Sequence, residues 1–447
     1  MEKEDYKKDN KIELKELNNA SLINGSSNNN IIAESLFIYN SSSLSKSDEF
    51  NNFIDKSFSR FSSSRLENLK YINFIPYKIL IFKTIIGSHK ISAEFIKEIF
   101  GTYFISGGMD KYIFIYDKTY KKIYDGKHKD IVDNVYEMDS SKKDKIIFAI
   151  SKNEIKLISI SPNKYSSIIK SIKINISFFI NVKENLCIIG NETGVYSLMD
   201  ILSQIIQKKE IQILNKSYKS GIIINDYLVA LTSNIIIHNG ENKLKIYNTQ
   251  IKNFVYEIEG YSFTTSLNGL TIMENNVNKN NYKILLCACK KYISGQKNGI
   301  LLINIYIDEE ILDTRKYFYN TGDFEVTCFC PIFIVQKSSF ILIQKESEIY
   351  ETNYFFVGGF HKIKGKGIIK LFKLIYNKIF FETRIEYIQD IELSNHNNFK
   401  GFKSSISSII QSKNNGNILV TCWDGNVYLF DSPNLDYFLF YDNLNKS

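Results

Sequence analysis

Short apolar segments of five to eight residues recur along this chain from about residue 70 onward, and polar residues separate them. Such segments have the length of β-strands, and only 92–100 and 199–211 show the 3.6-residue periodicity of a helix. β-Branched and aromatic residues, which favour strands, are abundant. The pattern predicts an all-β domain over 67–447, built as a sandwich, a barrel or a propeller.

A recurring unit of strand, turn and strand selects the propeller among these three architectures. Its clearest copies are 86–117 and 416–431. Weaker copies at intervals of roughly 40 to 60 residues cover 145–160, 185–200, 226–248, 282–308 and 354–374. Seven copies predict a single seven-bladed β-propeller, although six or eight blades also fit the pattern.

The first and last copies share a register that resembles the WD40-repeat family. MDKYIFIYD and WDGNVYLFD align without a gap, so Asp424 matches Asp110. In that family a turn aspartate precedes a strand-end aromatic by six residues, as Asp110 precedes Tyr116 and Asp424 precedes Phe430. The resemblance implies a hydrogen-bonded structural relay of His89, Ser106, Asp110 and Tyr116. Tyrosine stands where the family has tryptophan, so a phenol O–H replaces an indole N–H.

Two turns are candidate contact sites for a partner. Trp423 is the only tryptophan, and it lies before the last strand, whereas the tryptophan of the family's Trp-Asp pair stands at the strand end. We interpret Trp423 as an exposed turn residue. The segment GGFHKIKGKG over 358–367 is interpreted as a hairpin turn that presents His361, Lys364 and Lys366. A phosphate-binding loop is the alternative there, but no helix follows to offer its N-terminus.

The expected function is that of a non-catalytic protein-interaction platform, which is how propellers of this family typically act. The segments 260–282, 309–322 and 388–403 are expected to be contact loops. An RNA- or anionic-surface-binding propeller is the first alternative, since the formal net charge is +8. It would require the lysines between 362 and 373 to form one patch. A propeller-based hydrolase is the second alternative.

Motifs for catalysis or cofactor binding are missing from the sequence. It contains no G-x-S-x-G, H-E-x-x-H or phosphate-loop pattern, so we predict no enzyme activity, cofactor or metal. The paired cysteines could place four thiolates together, but they lie in apolar strand-like runs and are interpreted as core residues. These are Cys287, Cys289, Cys328 and Cys330.

The N-terminal segment differs in amino-acid composition from the rest of the chain. Residues 1–66 contain Asn- and Ser-rich tracts that cannot bury enough apolar surface, so a mostly disordered arm is expected. Neither a signal peptide nor an apolar run of membrane-spanning length is found, and a cytoplasmic or nuclear protein follows. Two segments could supply the strand that closes the ring, and 71–85 is preferred over 435–442.

Overall fold

The fold is described from a computed structural model of the chain. The described residues are 79–138, 145–151, 154–161, 164–173, 179–183, 186–189, 194–197, 218–233, 243–251, 253–264, 268–273, 282–291, 297–307, 312–336, 339–342, 344–346, 350–377, 382–393 and 399–431. The predicted arm over 1–66, the periodic segment 199–211 and the tail strand 435–442 lie outside them.

All regular structure in the described residues is β-strand. The first seventeen strands are β1 (Ile79–Leu80), β2 (Phe82–Ser88), β3 (Ala93–Ile99), β4 (Tyr103–Gly108), β5 (Tyr112–Tyr116), β6 (Lys122–Lys127), β7 (Val132–Met138), β8 (Lys145–Ser151), β9 (Glu154–Ser161), β10 (Lys164–Lys173), β11 (Phe179–Lys183), β12 (Leu186–Ile189), β13 (Gly194–Ser197), β14 (Tyr218–Ile223), β15 (Leu228–Ser233), β16 (Leu244–Asn248) and β17 (Asn253–Ile258).

The second half of the chain adds sixteen more strands. They are β18 (Tyr261–Phe263), β19 (Leu270–Met273), β20 (Tyr282–Lys291), β21 (Lys297–Ile307), β22 (Leu312–Gly322), β23 (Phe324–Pro331), β24 (Phe333–Gln336), β25 (Ser339–Leu342), β26 (Gln344–Glu346), β27 (Tyr350–His361), β28 (Lys366–Asn377), β29 (Glu382–Asp390), β30 (Glu392–Leu393), β31 (Ile406–Gln411), β32 (Ile418–Cys422) and β33 (Asn426–Phe430).

Six antiparallel sheets of four or five strands form the blades of a β-propeller within the described residues. We call them blade 1 (β3–β6), blade 2 (β7–β10), blade 3 (β14–β17), blade 4 (β18–β22), blade 5 (β23 and β26–β29) and the closure blade (β31–β33 with β2). The all-β propeller is therefore confirmed, but the expected seven blades are replaced by six. Within the described residues, the candidate copy at 185–200 contributes β12 and β13 to a three-stranded sheet with β11, and this sheet is not one of the six.

The repeat copies in the six blades coincide with pairs of neighbouring strands. The copy at 145–160 is the hairpin β8–β9, and the copy at 354–374 spans β27–β28. Two other expectations were wrong. The periodic segment 92–100 forms strand β3, because it pairs antiparallel with β4 and buries both faces between blades. Two of the expected contact loops contain strands, since 260–282 includes β18 and β19 and 309–322 includes β22, the outer strand of blade 4.

The N-terminal segment closes the ring. Strand β2 pairs antiparallel with β33, and Phe82 lies opposite Phe430. The closing strand begins at Phe82, later than the start of the preferred segment 71–85. Since the blade draws strands from both ends of the described propeller, the ring closes through backbone hydrogen bonds rather than through side-chain packing alone.

The hydrophobic core lies between neighbouring blades rather than within one of them. One cluster joins the closure blade to blade 1, and others join blades 1 and 2, 3 and 4, 4 and 5, and blade 5 to the closure blade. The residue Tyr116, at the end of β5, is fully buried in the first of these. Each four-stranded sheet is too thin to bury its own faces, so burial against both neighbours stabilises the ring.

Candidate interaction face

A chain of hydrogen bonds ties the loop before β3 to the β4–β5 turn. Asp110 Oδ1 lies 3.0 Å from His89 Nδ1, and His89 Nε2 lies 3.0 Å from Ser106 Oγ. Ser106 Oγ lies 3.3 Å from the phenol oxygen of Tyr116. The structure therefore brings together the four residues that the family resemblance groups into a relay.

Burial controls the charges of this relay. Burial lowers the pKa of His89, and the hydrogen bond and charge of Asp110 offset only part of that effect. Burial acts to raise the pKa of Asp110, but hydrogen bonds from Lys90 N–H and from His89 outweigh it, and the pKa of Asp110 lies below its usual value. Burial also raises the pKa of Tyr116 well above its usual range. Near neutral pH the relay thus holds one carboxylate and no other charge.

These protonation states assign a direction to every hydrogen bond. A carboxylate only accepts, so the neutral ring of His89 donates from Nδ1 to Asp110. Nε2 then accepts from the hydroxyl of Ser106, whose oxygen accepts from the phenol of Tyr116. The residue at position 116 needs only to donate a hydrogen bond to Ser106 Oγ. The phenol O–H of Tyr116 does this, as an indole N–H would.

The closure blade holds Asp424 in the same backbone setting. Lys403 N–H donates to Asp424 Oδ2 and Asn426 N–H donates to Oδ1, at 3.2 and 3.0 Å. Asp110 accepts from the corresponding backbone groups of Lys90 and Tyr112. In both blades the aspartate therefore satisfies the N–H groups of its own turn and of the preceding loop.

The side-chain partner of the aspartate differs in the closure blade. Phe402 precedes Lys403, in the place that His89 holds before Lys90, and it cannot bond to a carboxylate. Instead the phenol of Tyr428 donates to Asp424 Oδ2 at 2.6 Å. Phe430, the strand-end aromatic that follows Asp424 by six residues, is fully buried in the core beside blade 5.

Turns and loops join successive blades into one continuous face. Met109 N–H donates to the Ser92 carbonyl, and Trp423 N–H donates to the Ser405 carbonyl. The turn of the closure blade reaches blade 1, since His89 N–H donates to the Gly425 carbonyl at 2.7 Å. His128 N–H donates to the Lys111 carbonyl in the same way and continues the connection to blade 2.

The β27–β28 turn of blade 5 lies on this face as well. His361 ends β27, Lys366 begins β28 and Lys364 lies in the turn between them, where the N–H of Gly365 donates to the His361 carbonyl at 2.9 Å. A side chain at Gly367 would meet the Ser404 carbonyl and Phe402, so this turn packs directly on the loop before β31. All four predicted contact residues, Trp423 included, therefore lie on neighbouring turns of one face.

Four large apolar side chains are exposed along this face. The exposed fractions are 77% for Ile363, 58% for Ile91, 49% for Trp423 and 44% for Met109. We call the surface formed by these four residues and the turns that carry them the turn face. Sequence reasoning found only Trp423; Met109 could have been found, because it aligns with Trp423 in the two matching copies.

The turn face is rich in lysine. Exposed lysines on its turns and loops are Lys90, Lys129, Lys362, Lys364, Lys366 and Lys403. The carboxylate oxygens of Asp110 and Asp424 already accept hydrogen bonds from groups within the fold. Lys364 is ion paired with Asp390 at 3.1 Å. The exposed apolar side chains of the turn face thus stand among several exposed lysines.

The paired cysteines do not converge on one site. Cys287 and Cys289 are buried in the core between blades 3 and 4, whereas Cys328 and Cys330 are buried between blade 5 and the closure blade. Burial raises the pKa of Cys328 and Cys330 to about 12, so both are protonated thiols. Within the described ranges, no cluster of three or more His, Cys, Asp or Glu residues could hold a metal ion.

Comparison with known proteins adds no family assignment. No protein-family model matches the chain, and no curated protein matches it either. In the part of the chain that the structure describes, no helix is long and apolar enough to cross a membrane.

Proposed function

We propose that this protein is a non-catalytic interaction platform, and that a protein or peptide partner docks on the turn face. The observation that carries the proposal is the exposure of Ile91, Met109, Ile363 and Trp423 on one connected set of turns. An exposed tryptophan among further apolar side chains is typical of the centre of a protein interface. The propeller supplies a rigid support for these turns.

The surroundings of these side chains specify the chemistry of the partner. Exposed lysines stand beside the apolar groups, with Lys90 next to Ile91 and Lys403 on the loop that packs under the β27–β28 turn. A partner segment that combines acidic residues with one or two large apolar side chains matches this surface. The acidic residues speed association, and the apolar side chains provide most of the affinity.

We also infer that the propeller is WD40-like. The support is the chain of hydrogen bonds from Asp110 to Tyr116 and the matching backbone contacts of Asp424. Buried thiols with raised pKa values suit a reducing compartment, and an intracellular adaptor or scaffold subunit is the role we propose.

The alternative of an RNA- or anionic-surface-binding propeller has less support. Of the five lysines between 362 and 373, Lys364 and Lys370 share Asp390, and Lys373 pairs with Glu386. Ion pairing reduces the charge that these side chains offer to phosphate groups. For the hydrolase alternative, no observation argues in favour.

Quantitative affinity purification with the full-length tagged protein tests the platform. Wild type is compared with Trp423→Ala and Ile363→Ser, which each remove one exposed apolar side chain. A specific partner should fall about tenfold or more in the captured fraction for both variants, because central apolar residues contribute about 2 kcal/mol or more to binding. Ile251→Ser is the matched control, since Ile251 is 63% exposed in the β16–β17 turn, away from the turn face.

The design separates a specific partner from background. Proteins captured equally by wild type and by all three variants are background. A set of proteins lost with Trp423→Ala and Ile363→Ser but kept with Ile251→Ser would identify the partner. If every specific protein remained with the two turn-face variants, docking on this face would be wrong.

A further inference from the structure

Met109 is an exposed methionine of the turn face. It lies in the β4–β5 turn, and 44% of the residue is exposed. Its backbone N–H donates to the Ser92 carbonyl at 3.0 Å. In the same turn, Lys111 N–H donates to the Gly108 carbonyl, and Lys111 Nζ donates to the Lys129 carbonyl of the next loop. The fold therefore holds this thioether at the surface.

The loop before β3 lies between the turns of Met109 and Trp423. At one end of the loop, the Ser92 carbonyl accepts the hydrogen bond from Met109. The loop also touches the turn of Trp423, because a methyl group added at Gly425 would lie 2.7 Å from the Ile91 carbonyl. The side chain of Ile91 is exposed between the two turns. A partner seated on both turns and on this loop would bury the thioether sulfur.

The other sulfur atoms whose surroundings the structure describes are sheltered from solvent. Met273 is 1% exposed, in the core between blades 4 and 5. Burial raises the pKa of five buried cysteines above its usual value, so they are protonated at neutral pH. Thiols are oxidised as exposed thiolates, so burial and protonation both slow that reaction. These cysteines are Cys287, Cys289, Cys328, Cys330 and Cys422. Among these sulfur atoms, the accessible one is that of Met109.

Oxidation of this thioether would change the chemistry of the turn face. Hydrogen peroxide transfers one oxygen atom to the sulfur, so its O–O bond breaks and an S–O bond forms. The sulfur loses two electrons, and the peroxide is reduced to water. The product, methionine sulfoxide, is polar where the thioether was apolar. An S–O group that a partner buries without a hydrogen-bond donor weakens the contact.

We propose that Met109 is an oxidation site that regulates the turn face, and that a hydroperoxide is its reactant. The thioether favours docking of a partner's large apolar side chain, and the sulfoxide opposes it. The inference rests on the proposed function, because it requires a partner that covers Met109. Oxidation should weaken partner binding about tenfold, which is the order expected for burial of a polar group without a partner. Methionine sulfoxide reductases would reverse the change, since they regenerate the thioether.

Peptide mass spectrometry of the purified full chain tests the chemistry without a partner. The protein is exposed to dilute hydrogen peroxide at neutral pH, and oxidation at each methionine is followed in time. Sulfoxide should form at Met109 before it forms at Met273, while the five buried cysteines remain thiols. Oxidation of Met109 no faster than that of Met273 would overturn the site.

Partner capture tests the regulation. Tagged full-length protein is treated with peroxide, the peroxide is removed, and each variant is compared with its own untreated sample. For wild type, capture should fall to about one tenth and should be restored by methionine sulfoxide reductases. Met109→Leu offers no sulfur at this position, so peroxide should leave its capture unchanged relative to its untreated sample. Met273→Leu is the matched control and should lose capture on oxidation as wild type does.

The outcomes separate this inference from the proposed function. An equal fall in wild type and Met109→Leu, or no fall in wild type, would overturn the oxidation site. Capture that is lost with Trp423→Ala but unchanged by peroxide would keep the turn face as the docking surface and remove only the role of Met109. Capture that is unchanged with Trp423→Ala would refute docking on this face, and the regulation with it.

Discussion

Blade 1 and the closure blade both use an aspartate to satisfy backbone N–H groups, but they surround it with different side chains. In both, an aspartate accepts hydrogen bonds from the N–H of its own turn and from the N–H of the preceding loop. In blade 1 its side-chain partner is His89, which passes the hydrogen bonds on to Ser106 and Tyr116. In the closure blade the partner is the phenol of Tyr428, and a phenylalanine fills the place of the histidine.

This comparison indicates which part of the repeat is required for the turn. The backbone groups of a tight turn must be satisfied wherever the turn occurs, so the aspartate is kept. The buried relay is one of several ways to fill the space behind it. Phe402 takes the place of His89 and Tyr428 that of Phe114, and the rings are in contact in both blades. The centroids of His89 and Phe114 are 4.3 Å apart, and those of Phe402 and Tyr428 are 5.1 Å apart.

The turn glycine should give the largest effect. Gly425 has φ +91°, and a side chain there would approach the His89 carbonyl to 2.4 Å. We expect Gly425→Ala to lower the free energy of unfolding by about 3 kcal/mol, from backbone strain and steric overlap. The equivalent residue of blade 1, Lys111, has φ 69°. Urea unfolding measures the change.

A glycine without a close neighbour is the control for that variant. Gly101 has φ +59° and nothing within 4 Å of the position that an added methyl group would occupy, so Gly101→Ala should cost only about 1 kcal/mol. Equal losses for the two variants would show that contact between the closure blade and blade 1 adds nothing to the strain.

Acid should lower the free energy of unfolding through His128, which holds in blade 2 the position of His89 in blade 1. Burial, with a smaller effect of the Lys156 charge, lowers the pKa of His128 to about 4, and Glu154 opposes this. Because the folded pKa lies below the unfolded value of about 6.5, the unfolded chain binds more protons between these values. Stability from this group is complete above pH 6.5, and about 2 to 3 kcal/mol should be lost by pH 4.5.

The closure blade suggests the variant that checks this titration. Phe402 stands where His128 and His89 stand in their blades, so His128→Phe should fold and should lose most of the difference between pH 7 and pH 4.5. Urea unfolding of both proteins at the two pH values measures it. The same pH difference in His128→Phe would assign the acid sensitivity to other groups.

Replacement of His89 should lower the free energy of unfolding by a somewhat smaller amount. His89→Phe imitates the closure blade, but it leaves the buried Asp110 without its side-chain partner and the Ser106 hydroxyl without its acceptor. We expect a loss of about 2 kcal/mol in the free energy of unfolding, because unpaired buried polar groups cost about 1 to 3 kcal/mol. His361→Phe, in the β27–β28 turn, is the control and should change stability little. A neutral result for His89→Phe would mean that the relay contributes no stability.

Removal of the hydroxyl group should destabilise the fold more at Tyr428 than at Tyr116. Tyr428→Phe removes a 2.6 Å hydrogen bond to a carboxylate and should cost about 2 kcal/mol. Tyr116→Phe removes a 3.3 Å bond to a neutral hydroxyl and should cost about 1 kcal/mol. Thermal or urea unfolding compares them. The reverse order would show that Tyr116 carries more of the relay than its geometry indicates.

The smallest change in stability is expected for Trp423→Ala. The side chain is half exposed in the turn, and its backbone N–H, which bonds to Ser405, is unaffected. We expect a change of about 0.5 kcal/mol or less in the free energy of unfolding. Unfolding of the variant at room temperature would place Trp423 in the core, contrary to its role in binding.

Much of the architecture could be predicted because it depends on local patterns. Apolar segments and turn residues predicted the hairpins at 145–160 and 354–374, and the spacing from Asp110 to Tyr116 predicted the residues that meet in blade 1. The strand Ala93–Ile99 was missed, because its apolar residues also fit a helical period and only pairing with β4 decides between them.

The all-β repeat architecture and the common register of the turn aspartates can both be predicted from the amino-acid sequence alone. Those properties follow from the alternation of side chains and from the demands of a single tight turn, which are local. Only the tertiary structure shows that the described residues form six blades, that Phe82–Ser88 closes the ring and that Ile91 and Ile363 share a face with Trp423. These outcomes depend on hydrogen bonds and packing between segments hundreds of residues apart, and no local pattern records which segments will meet.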